Sequence, residues 1–506
     1  MARIAIVKVR SPHDVEWQLP PLLDSALGLV GLSHLRDRLR ETSGQPFMPQ
    51  LTLPYLAALG ERYNEAHGTD HEFVLVDDRP ERVRLAGRGL DMVWFTAVTP
   101  TIEAVYRLSD RARRDGMRTV IGGIHATTLP DEAGEHADAV ALGEGEDTVS
   151  QILADWDRSG RLAPRYGGRP GCSLDHLPVP RWRDAELADY CPWVVPVQTS
   201  RGCRNACHFC STTRYQGARR RHRPVQDIVD EIRLLQDRGV VTDEKTIFFT
   251  DNNIVSDTDH RRGVQDTRYA RELFAALEPL GVVWTGQGEI NVADDPELTE
   301  LMVRSGCINL LVGFESIQQE NLSSVGKPSN HVETYVRQIE TLQRHGVAII
   351  GCFIFGLDHD GPEVFAHTAE FIERYIEVPQ ISLLTPFPGT PLHRRMVREG
   401  QLLGKEWSSF DITHVTFRPR SMSPEALERG YHALGRRLFS WPAILARSLR
   451  YAMRPTVHTN LSFASRFTSV LAPNLIYGNL CRIGREAAAP APRRGLLTRT
   501  MRWQPG

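Results

Sequence analysis

Short apolar stretches alternate with amphipathic helical periods along the first 160 residues, and this pattern predicts an α/β fold. Strands that are apolar on both faces and are separated by helices are typical of a doubly wound parallel sheet. Such sheets bind ligands beyond the carboxyl ends of their strands, so those ends are candidate binding positions. The predicted strands are Arg3–Val9, Glu72–Asp77, Asp91–Ala97, Arg118–Ile121 and Asp138–Leu142.

The same alternation returns from Val194 to about Gly400, where six strand-and-helix units follow one another. Six such units predict a partial (β/α)6 TIM-type barrel with its chemistry at the carboxyl ends of the strands. The predicted strands are Val194–Thr199, Thr246–Thr250, Val282–Gly286, Asn309–Gly313, Ala348–Phe355 and Gln380–Leu384.

Four segments describe the predicted domain organisation. Residues 1–160 form the first α/β domain and residues 193–403 form the barrel. Residues 161–192 are rich in proline, glycine and arginine, which is typical of a linker. Residues 404–506 have mostly helical periodicity and form a C-terminal extension.

Composition limits the classes of protein that fit this pattern. The 506 residues carry 60 basic against 62 acidic side chains, and the mean hydropathy is −0.31, as in soluble globular proteins. The longest apolar run, Val347–Leu357, is about half the length of a membrane span. The apolar start Ile4–Val7 is too short for a signal peptide, so we expect a cytoplasmic protein.

Three of the eight cysteines lie within eight residues, as Cys203, Cys207 and Cys210 in a C-x₃-C-x₂-C motif directly after a predicted strand. Thiolates are the preferred ligands of zinc and of iron–sulfur clusters. A closed zinc site needs four ligands, and His208 is the candidate for the fourth. Three cysteines on one loop suit a four-iron cluster that keeps one iron open, and zinc remains the alternative.

This motif, with aromatic Phe209 before the last cysteine, resembles the signature of the radical S-adenosylmethionine (SAM) enzymes. The resemblance implies a 4Fe-4S cluster whose open iron binds SAM and whose reduced form cleaves SAM to a 5′-deoxyadenosyl radical. Asp251, Gln287 and Glu315 end three successive strands, and we expect them to position SAM or substrate as catalytic residues. The other SAM contacts implied by the resemblance are Phe209, Glu315, Ser316, Gly351, Ile354 and Gly356.

Small and polar residues also follow the third, fourth and fifth strands of the first domain. The rival interpretation, a dinucleotide-binding domain, lacks the G-x-G-x-x-G turn after the first strand. The pattern resembles the Rossmann-like cobalamin-binding domain that precedes the barrel in one large radical SAM subgroup. The implied cobalamin contacts are Thr96, Thr99, Gly122, Gly123, His125, Thr127, Gly143, Glu144 and Gly145.

The cobalt ligand is not identified by this resemblance, because the D-x-H-x-x-G motif of many cobalamin proteins is absent. His125 is a candidate for that ligand, but its position favours packing against the backbone or the nucleotide tail. In the C-terminal extension, the segment from Asp411 to Arg418 resembles that of hopanoid methylases. There His414 and Arg418 either face the active site or form a packed or solvated pair.

Two arginine-rich segments have structural and functional interpretations. Residues 441–506 contain ten arginines and one acidic residue, Glu486, interleaved with apolar residues. A peripheral contact with an anionic membrane is one interpretation, and packing of this tail on the barrel is the preferred one. The run Arg219–Arg223 is interpreted as structural or solvated, and we expect no nucleic-acid partner.

Together these resemblances imply a cobalamin-dependent radical SAM methyltransferase. Such an enzyme transfers a methyl group from methylcobalamin to an unactivated carbon of a small-molecule or lipid substrate, with a flavodoxin or ferredoxin as electron donor. The alternative enzyme keeps these cofactors and catalyses ring closure, rearrangement or oxidation. An RNA methylthiotransferase is disfavoured because no second cysteine triad precedes the first. The non-enzyme alternative is a zinc- and cobalamin-binding sensor.

Overall fold

The computed structural model describes residues 1–11, 48–168, 171–183, 190, 193–242, 245–259, 264–327, 329–456 and 461–487. The side chains of residues 258, 259, 264 and 482–487 lie outside this description. Within the described ranges, no helix is both long enough and apolar enough to cross a lipid bilayer.

The first sheet contains six parallel strands in the order β2-β1-β3-β4-β5-β6 and confirms the predicted doubly wound fold. The strand order reverses between β1 and β3, which creates a crevice at their carboxyl ends. The strands are β1 Arg3–Val9, β2 Glu72–Asp78, β3 Met92–Thr96, β4 Arg118–Gly122, β5 Ala139–Leu142 and β6 Arg165–Gly167.

Strand β6 extends this sheet past residue 160, into the range predicted as a linker. It pairs with β5 through Leu142 and Gly167. Three residues in a segment rich in proline, glycine and arginine carry too little apolar pattern to be recognised as a strand.

Helices cover both faces of the first sheet, which explains why its strands are apolar throughout. Ile4 and Ile6 of β1 pack in one apolar cluster with α1 and α5, whereas Ala5 and Val7 pack in another with α2. The helices are α1 Thr52–His67, α2 Ile102–Arg114, α3 Ile124–Thr128, α4 Pro130–Glu135 and α5 Gly145–Ser159.

The second sheet is also parallel, with the order β7-β10-β13-β14-β15-β16, and it forms the predicted partial barrel. Each of the six strands predicted for this region is present. They are β7 Val194–Val197, β10 Thr246–Phe249, β13 Val283–Gly288, β14 Cys307–Glu315, β15 Ala348–Phe355 and β16 Val378–Leu383.

Two short antiparallel pairs accompany the barrel: β8 Ser200–Arg201 with β9 Arg221–His222, and β11 Asp257–Asp259 with β12 Val264–Asp266. The barrel helices are α6 Thr212–Tyr215, α7 Val225–Asp237, α8 Arg268–Leu277, α9 Pro296–Arg304, α10 Gln319–Ser324, α11 Tyr335–Arg344, α12 Val364–Tyr375 and α13 Pro391–Arg398. Short 3₁₀ turns span Thr99–Thr101, Glu278–Leu280, Ile290–Asp294, Val332–Thr334 and Trp407–Ser409.

The C-terminal extension is helical, as predicted, with α14 Pro424–Leu438, α15 Trp441–Met453 and α16 Phe463–Ala487. Ala348 and Ile350 of β15 form an apolar cluster with Tyr451 and Val470, so α15 and α16 cover one face of the barrel sheet. An incomplete barrel exposes apolar strand residues, and these helices bury them.

Four arginines of the C-terminal region are bound inside the fold. Arg447 is buried and donates to the carbonyl oxygens of Glu377 and Leu438. The other three bind the carbonyl oxygens of Glu373, Ile376, Tyr451 and Arg454 and the Glu377 carboxylate; they are Arg450, Arg454 and Arg466. This part of the tail therefore packs on the barrel, while residues 488–506 lie outside the described residues.

Candidate active site

The cysteine loop begins just beyond the carboxyl end of β7. Cys207 is buried, and Cys203 and Cys210 are partly buried. Burial, with a smaller contribution from the charges of the neighbouring cysteines, raises the pKa of Cys203 to about 11 and that of Cys207 to about 12. Because metals bind thiolates, a cationic group held by this loop would offset the cost of deprotonating these thiols.

The geometry of the loop tests the alternative in which the cysteines and His208 bind zinc. Tetrahedral zinc with bonds of about 2.3 Å holds its sulfur ligands about 3.8 Å apart. Among the described residues, the metal-ligating atoms of this triad do not all lie within 4.8 Å of one another. The exposed His208 is also turned away: its Nδ1 lies 3.2 Å from the Ser324 carbonyl oxygen, and its ring packs against Gly326. Within the part of the chain that the structure describes, the triad and His208 therefore do not form a closed four-ligand zinc site.

Asp251 is fully buried at the base of this loop. Its carboxylate accepts hydrogen bonds from the Thr199 backbone N–H at 3.0 Å, from the Thr199 hydroxyl at 2.7 Å and from the Ser200 hydroxyl. Both carboxylate oxygens are thus used to hold the residues that lead into the cysteine loop.

Glu315 ends β14 in a left-handed backbone conformation, with φ of 63°. Its Oε1 lies 2.6 Å from Nζ of Lys327, a residue that the sequence analysis missed. Lys327 also donates to the Gly313 carbonyl oxygen at 2.7 Å. Burial alone would lower the pKa of Lys327, but the charges of Glu315 and Cys207 raise it, so Lys327 is a cation between Glu315 and the cysteine loop.

Ser316 and Gly356 lie in neighbouring turns after β14 and β15. The Ser316 hydroxyl accepts from the Gln318 N–H at 3.1 Å, and Gly356 has a φ of 94°. The Gly356 N–H donates to buried Asp360 at 2.9 Å, and Asp360 also accepts from Asn321. Asp360 was not recognised in the sequence, and burial raises its pKa to about 6.

The remaining residues predicted to contact SAM are distributed around the same barrel. Phe209 packs against the large barrel core, as does Ile354 of β15. Gly351 is buried, and a Cβ there would lie 3.0 Å from the Phe353 ring. Gln287 is half-buried, and its side chain makes no hydrogen bond within the described part of the chain.

A cavity of about 340 Å³ is lined by strand ends of both sheets. Six residues predicted to bind cobalamin line it: Thr96, Gly122, Gly123, Gly143, Glu144 and Gly145. The second sheet contributes residues that follow β7 and β10, including Gln198, Arg201 and Thr250. Glycines at this surface allow the backbone to approach a flat ligand closely.

The other three predicted cobalamin contacts, Thr99, His125 and Thr127, do not line the cavity and lie in the turns next to these strand ends. His125 is buried, with Nδ1 at 3.2 Å from the Thr99 hydroxyl and Nε2 at 3.3 Å from Oε1 of Glu132. Thr127 bridges two turns, because its hydroxyl donates to the Gly123 carbonyl oxygen and accepts from the Gly143 N–H. Both ring nitrogens of His125 are therefore hydrogen-bonded within the protein, to Thr99 and to Glu132.

The Glu144 carboxylate is held by Arg221 through two hydrogen bonds of 2.6 and 2.8 Å. Burial alone would raise the pKa of Glu144, but the hydrogen bonds from Arg221 and Cys172 and the charge of Arg201 hold it below its usual range. In the same basic run, Arg220 and Arg223 are buried and bonded within the protein. The run has the structural role that the sequence suggested.

His414 and Arg418 occupy different environments. His414 Nδ1 lies 2.8 Å from Asp411, and the neighbouring Ile412 carbonyl oxygen accepts from Leu383 at the end of β16. His414 is therefore close to the carboxyl edge of the barrel. Arg418 is exposed and its Nη1 lies 3.4 Å from the Gly400 carbonyl oxygen.

Comparison with protein families gives two matches that follow the two sheets. The Radical SAM superfamily matches residues 197–372, and the B12 binding domain matches residues 48–153. The chain is 31% identical to bacteriochlorophyllide d C-12(1)-methyltransferase of Chlorobaculum tepidum, over 86% of this chain and 91% of that protein. It is 26% identical to hopanoid C-2 methylase of Rhodopseudomonas palustris, over 62% of this chain and 59% of that protein.

Solved structures show the same fold. The radical SAM methyltransferase TsrM from Kitasatospora setae, with cobalamin and a 4Fe-4S cluster bound, matches with a TM-score of 0.61 at 16% identity. This match covers 97% of the present chain and 100% of TsrM.

Proposed function

The chain belongs to the cobalamin-dependent radical SAM methyltransferases, and on that premise we propose that it methylates an unactivated carbon of a small-molecule or lipid substrate. Its cofactors are a 4Fe-4S cluster, SAM and cobalamin. When bound, the cluster and SAM together supply a radical that abstracts hydrogen, and cobalamin supplies the methyl group.

The observation that carries this proposal is the shared cavity. Its wall combines the glycine-rich strand ends of the first sheet with residues 198 and 201, which lead into the cysteine loop of the second. A carbon-centred radical must meet its methyl donor while shielded from water. Because the cavity lies between the two domains, its walls remove part of a bound ligand's surface from water.

The cysteine loop is the proposed cluster site, with Cys203, Cys207 and Cys210 as the three ligands. Because three cysteines bind three of the four irons, one iron of a four-iron cluster is left without a protein ligand. Asp251 acts on this loop as a positioning residue through Thr199 and Ser200.

The turns at the ends of β14 and β15 form the proposed SAM site. Glu315 and Lys327 lie beside Cys207. The Glu315 carboxylate is an acceptor for the amino group of SAM, and the Lys327 ammonium is a cation for the carboxylate of SAM. Gln287 has a side-chain amide available for SAM or substrate. Other proposed contacts are Phe209, Ser316, Gly351, Ile354 and Gly356.

The first sheet is the proposed cobalamin site. Thr96, Gly122, Gly123, Gly143 and Gly145 line the cavity and are the proposed contacts. Glu144 also lines it, but the two hydrogen bonds from Arg221 engage its carboxylate. Buried His125 and Thr99 and partly buried Thr127 stabilise these turns. His125 is not proposed as a cobalt ligand because both ring nitrogens are engaged.

The proposed compartment is the cytoplasm, where thiols stay reduced and a flavodoxin or ferredoxin can donate electrons. A peripheral membrane contact of the C-terminal region is also proposed. It is supported by Leu445, Leu449 and Met453, which are exposed on one face of α15, and by exposed Phe463 at the start of α16. Sedimentation with vesicles of anionic and of neutral lipid tests it, and recovery of the protein in the supernatant of both would contradict the contact.

Anaerobic reconstitution with iron, sulfide and hydroxocobalamin tests the central proposal. We expect a reducible cluster by EPR and, with SAM and a reductant, formation of 5′-deoxyadenosine and S-adenosylhomocysteine. Cys207→Ser should lose the cluster and 5′-deoxyadenosine, while Cys481→Ser, outside the site, should keep both. Product formation with 5′-deoxyadenosine but without S-adenosylhomocysteine would instead favour ring closure, rearrangement or oxidation.

A further inference from the structure

Two buried ion pairs join the first sheet to the residues that lead into the cysteine loop. Oε1 of Glu146 lies 2.6 Å from Nη1 of Arg201, two positions before Cys203. Glu144 accepts from both terminal nitrogens of Arg221, at 2.6 and 2.8 Å. These four residues are called the bridging ion pairs below.

The bridging ion pairs are sheltered from water. Exposed fractions of these side chains are 5% for Glu144, 6% for Glu146, 10% for Arg201 and 14% for Arg221. The Tyr55 hydroxyl of α1 donates to Glu146 at 2.6 Å, and its ring lies 5.4 Å from the Arg201 guanidinium. Charges so well buried are attracted strongly and are costly to separate.

The two arginines also constrain each other. Arg201 of β8 and Arg221 of β9 stand directly opposite in an antiparallel pair. Like charges at such positions repel. Both glutamates follow β5, and Arg201 lies 3.5 Å from Glu144 as well as 2.6 Å from Glu146. Docking of the first sheet therefore neutralises a pair of charges that would otherwise destabilise β8 and β9.

We propose that the bridging ion pairs are a positioning device that holds the cysteine loop at a set distance and angle from the cobalamin-binding face of the first sheet. This inference rests on the proposed function. Glu144 lies between Gly143 and Gly145, and Glu146 is the second residue of α5, so a shift of the ion pairs shifts the strand ends lining the cavity. A misplacement of about 1 Å can reduce a reaction rate roughly 100-fold.

The test compares Glu144→Gln, Glu146→Gln and Arg221→Lys with the parent protein. Gln preserves side-chain size and removes the charge, and Lys preserves the charge but loses the two-pronged contact. The control is Arg437→Gln, which removes another bidentate ion pair. Arg437 pairs with Glu373 within the helices around the barrel. All proteins are reconstituted with iron, sulfide and hydroxocobalamin and reduced until cluster and cob(II)alamin are both paramagnetic.

We expect each bridging variant to retain its iron, sulfide and cobalamin and to form 5′-deoxyadenosine from SAM. The EPR splitting between the two metal centres should broaden or be lost in the glutamine variants, be partly restored in Arg221→Lys and be unchanged in Arg437→Gln. If one glutamine variant does not fold, the other and Arg221→Lys decide the outcome.

Failure of the proposed function and failure of the positioning role give different results. Absence of the cluster or of cobalamin from the parent protein would overturn the proposed function. A parent spectrum with clear splitting that every bridging variant reproduces would overturn only the positioning role.

Discussion

Gly123 illustrates, at the scale of one residue, how backbone geometry shapes a binding surface. It has a φ of 96°, and a Cβ there would lie 2.5 Å from the Ala97 carbonyl oxygen and 2.7 Å from the Ala97 nitrogen. An L side chain would therefore meet both conformational strain and a backbone collision. The turn after β4 can lie against β3 only with glycine at this position.

Gly123→Ala should destabilise the protein more than Gly116→Ala, a matched control with a φ of 86° and open space around its Cβ. Both substitutions place a side chain at a positive φ, which costs roughly 1–3 kcal/mol, and only Gly123→Ala also displaces backbone. Thermal unfolding and cobalamin titration measure the effects. Equal losses of stability and equal cobalamin affinities in the two variants would contradict this explanation.

Asp360 carries a pH-dependent contribution to stability. Burial raises its pKa from 3.8 to about 6, so the folded state binds this proton more tightly than the unfolded state. Its contribution is fully present below pH 3.8 and is lost as the pH rises through about 6, a change of about 3 kcal/mol. Relative to Asp360→Asn, the parent should lose stability between about pH 4 and 6, measured by unfolding of the cofactor-free protein. If the unfolding free energies of the parent and of Asp360→Asn change in parallel with pH, Asp360 is not the source of this pH dependence.

At the scale of elements, the short turn Trp407–Ser409 connects the C-terminal extension to the first sheet. The Trp407 backbone N–H donates to Glu103 at 2.9 Å, and its indole N–H donates to Glu132 at 3.1 Å. The ring also lies 5.3 Å from that of buried His125. The extension thus packs against the helix that carries His125.

Trp407→Ala should lower the unfolding free energy by about 2 kcal/mol, roughly half the cost of removing a fully buried tryptophan, because the residue is half-buried. Trp407→Phe keeps the ring contact and loses only the indole hydrogen bond, so its cost should be smaller, about 1 kcal/mol. Denaturant unfolding measures both. A larger loss for phenylalanine than for alanine would contradict the packing argument.

At the scale of the whole molecule, one cavity is shared by two sheets that are distant in the sequence. Residues 94–152 and residues 196–250 both line it. A ligand bound there contacts both domains and stabilises them together. The domain interface is therefore part of the binding site.

Cobalamin should raise the unfolding temperature of both domains in a single transition. A ligand at 100 times its dissociation constant stabilises the folded state by about 2.7 kcal/mol. Calorimetry of the cluster-free protein with and without hydroxocobalamin measures the shift. A shift confined to one of two separate transitions would show that the ligand is held by one domain alone.

The sequence by itself determined the five strands predicted for the first sheet, the six barrel strands, the order of the domains, the cysteine triad and the glycines of the strand ends. These features depend on local pattern: apolar periodicity, residue spacing and the conformational freedom of glycine. Only the tertiary structure decided the partners of buried charges. Glu144, expected to contact cobalamin, is bound by Arg221, and Glu315 is paired with Lys327, which no motif singled out. Such pairs form between residues that topology brings together, and burial makes each charge require its partner.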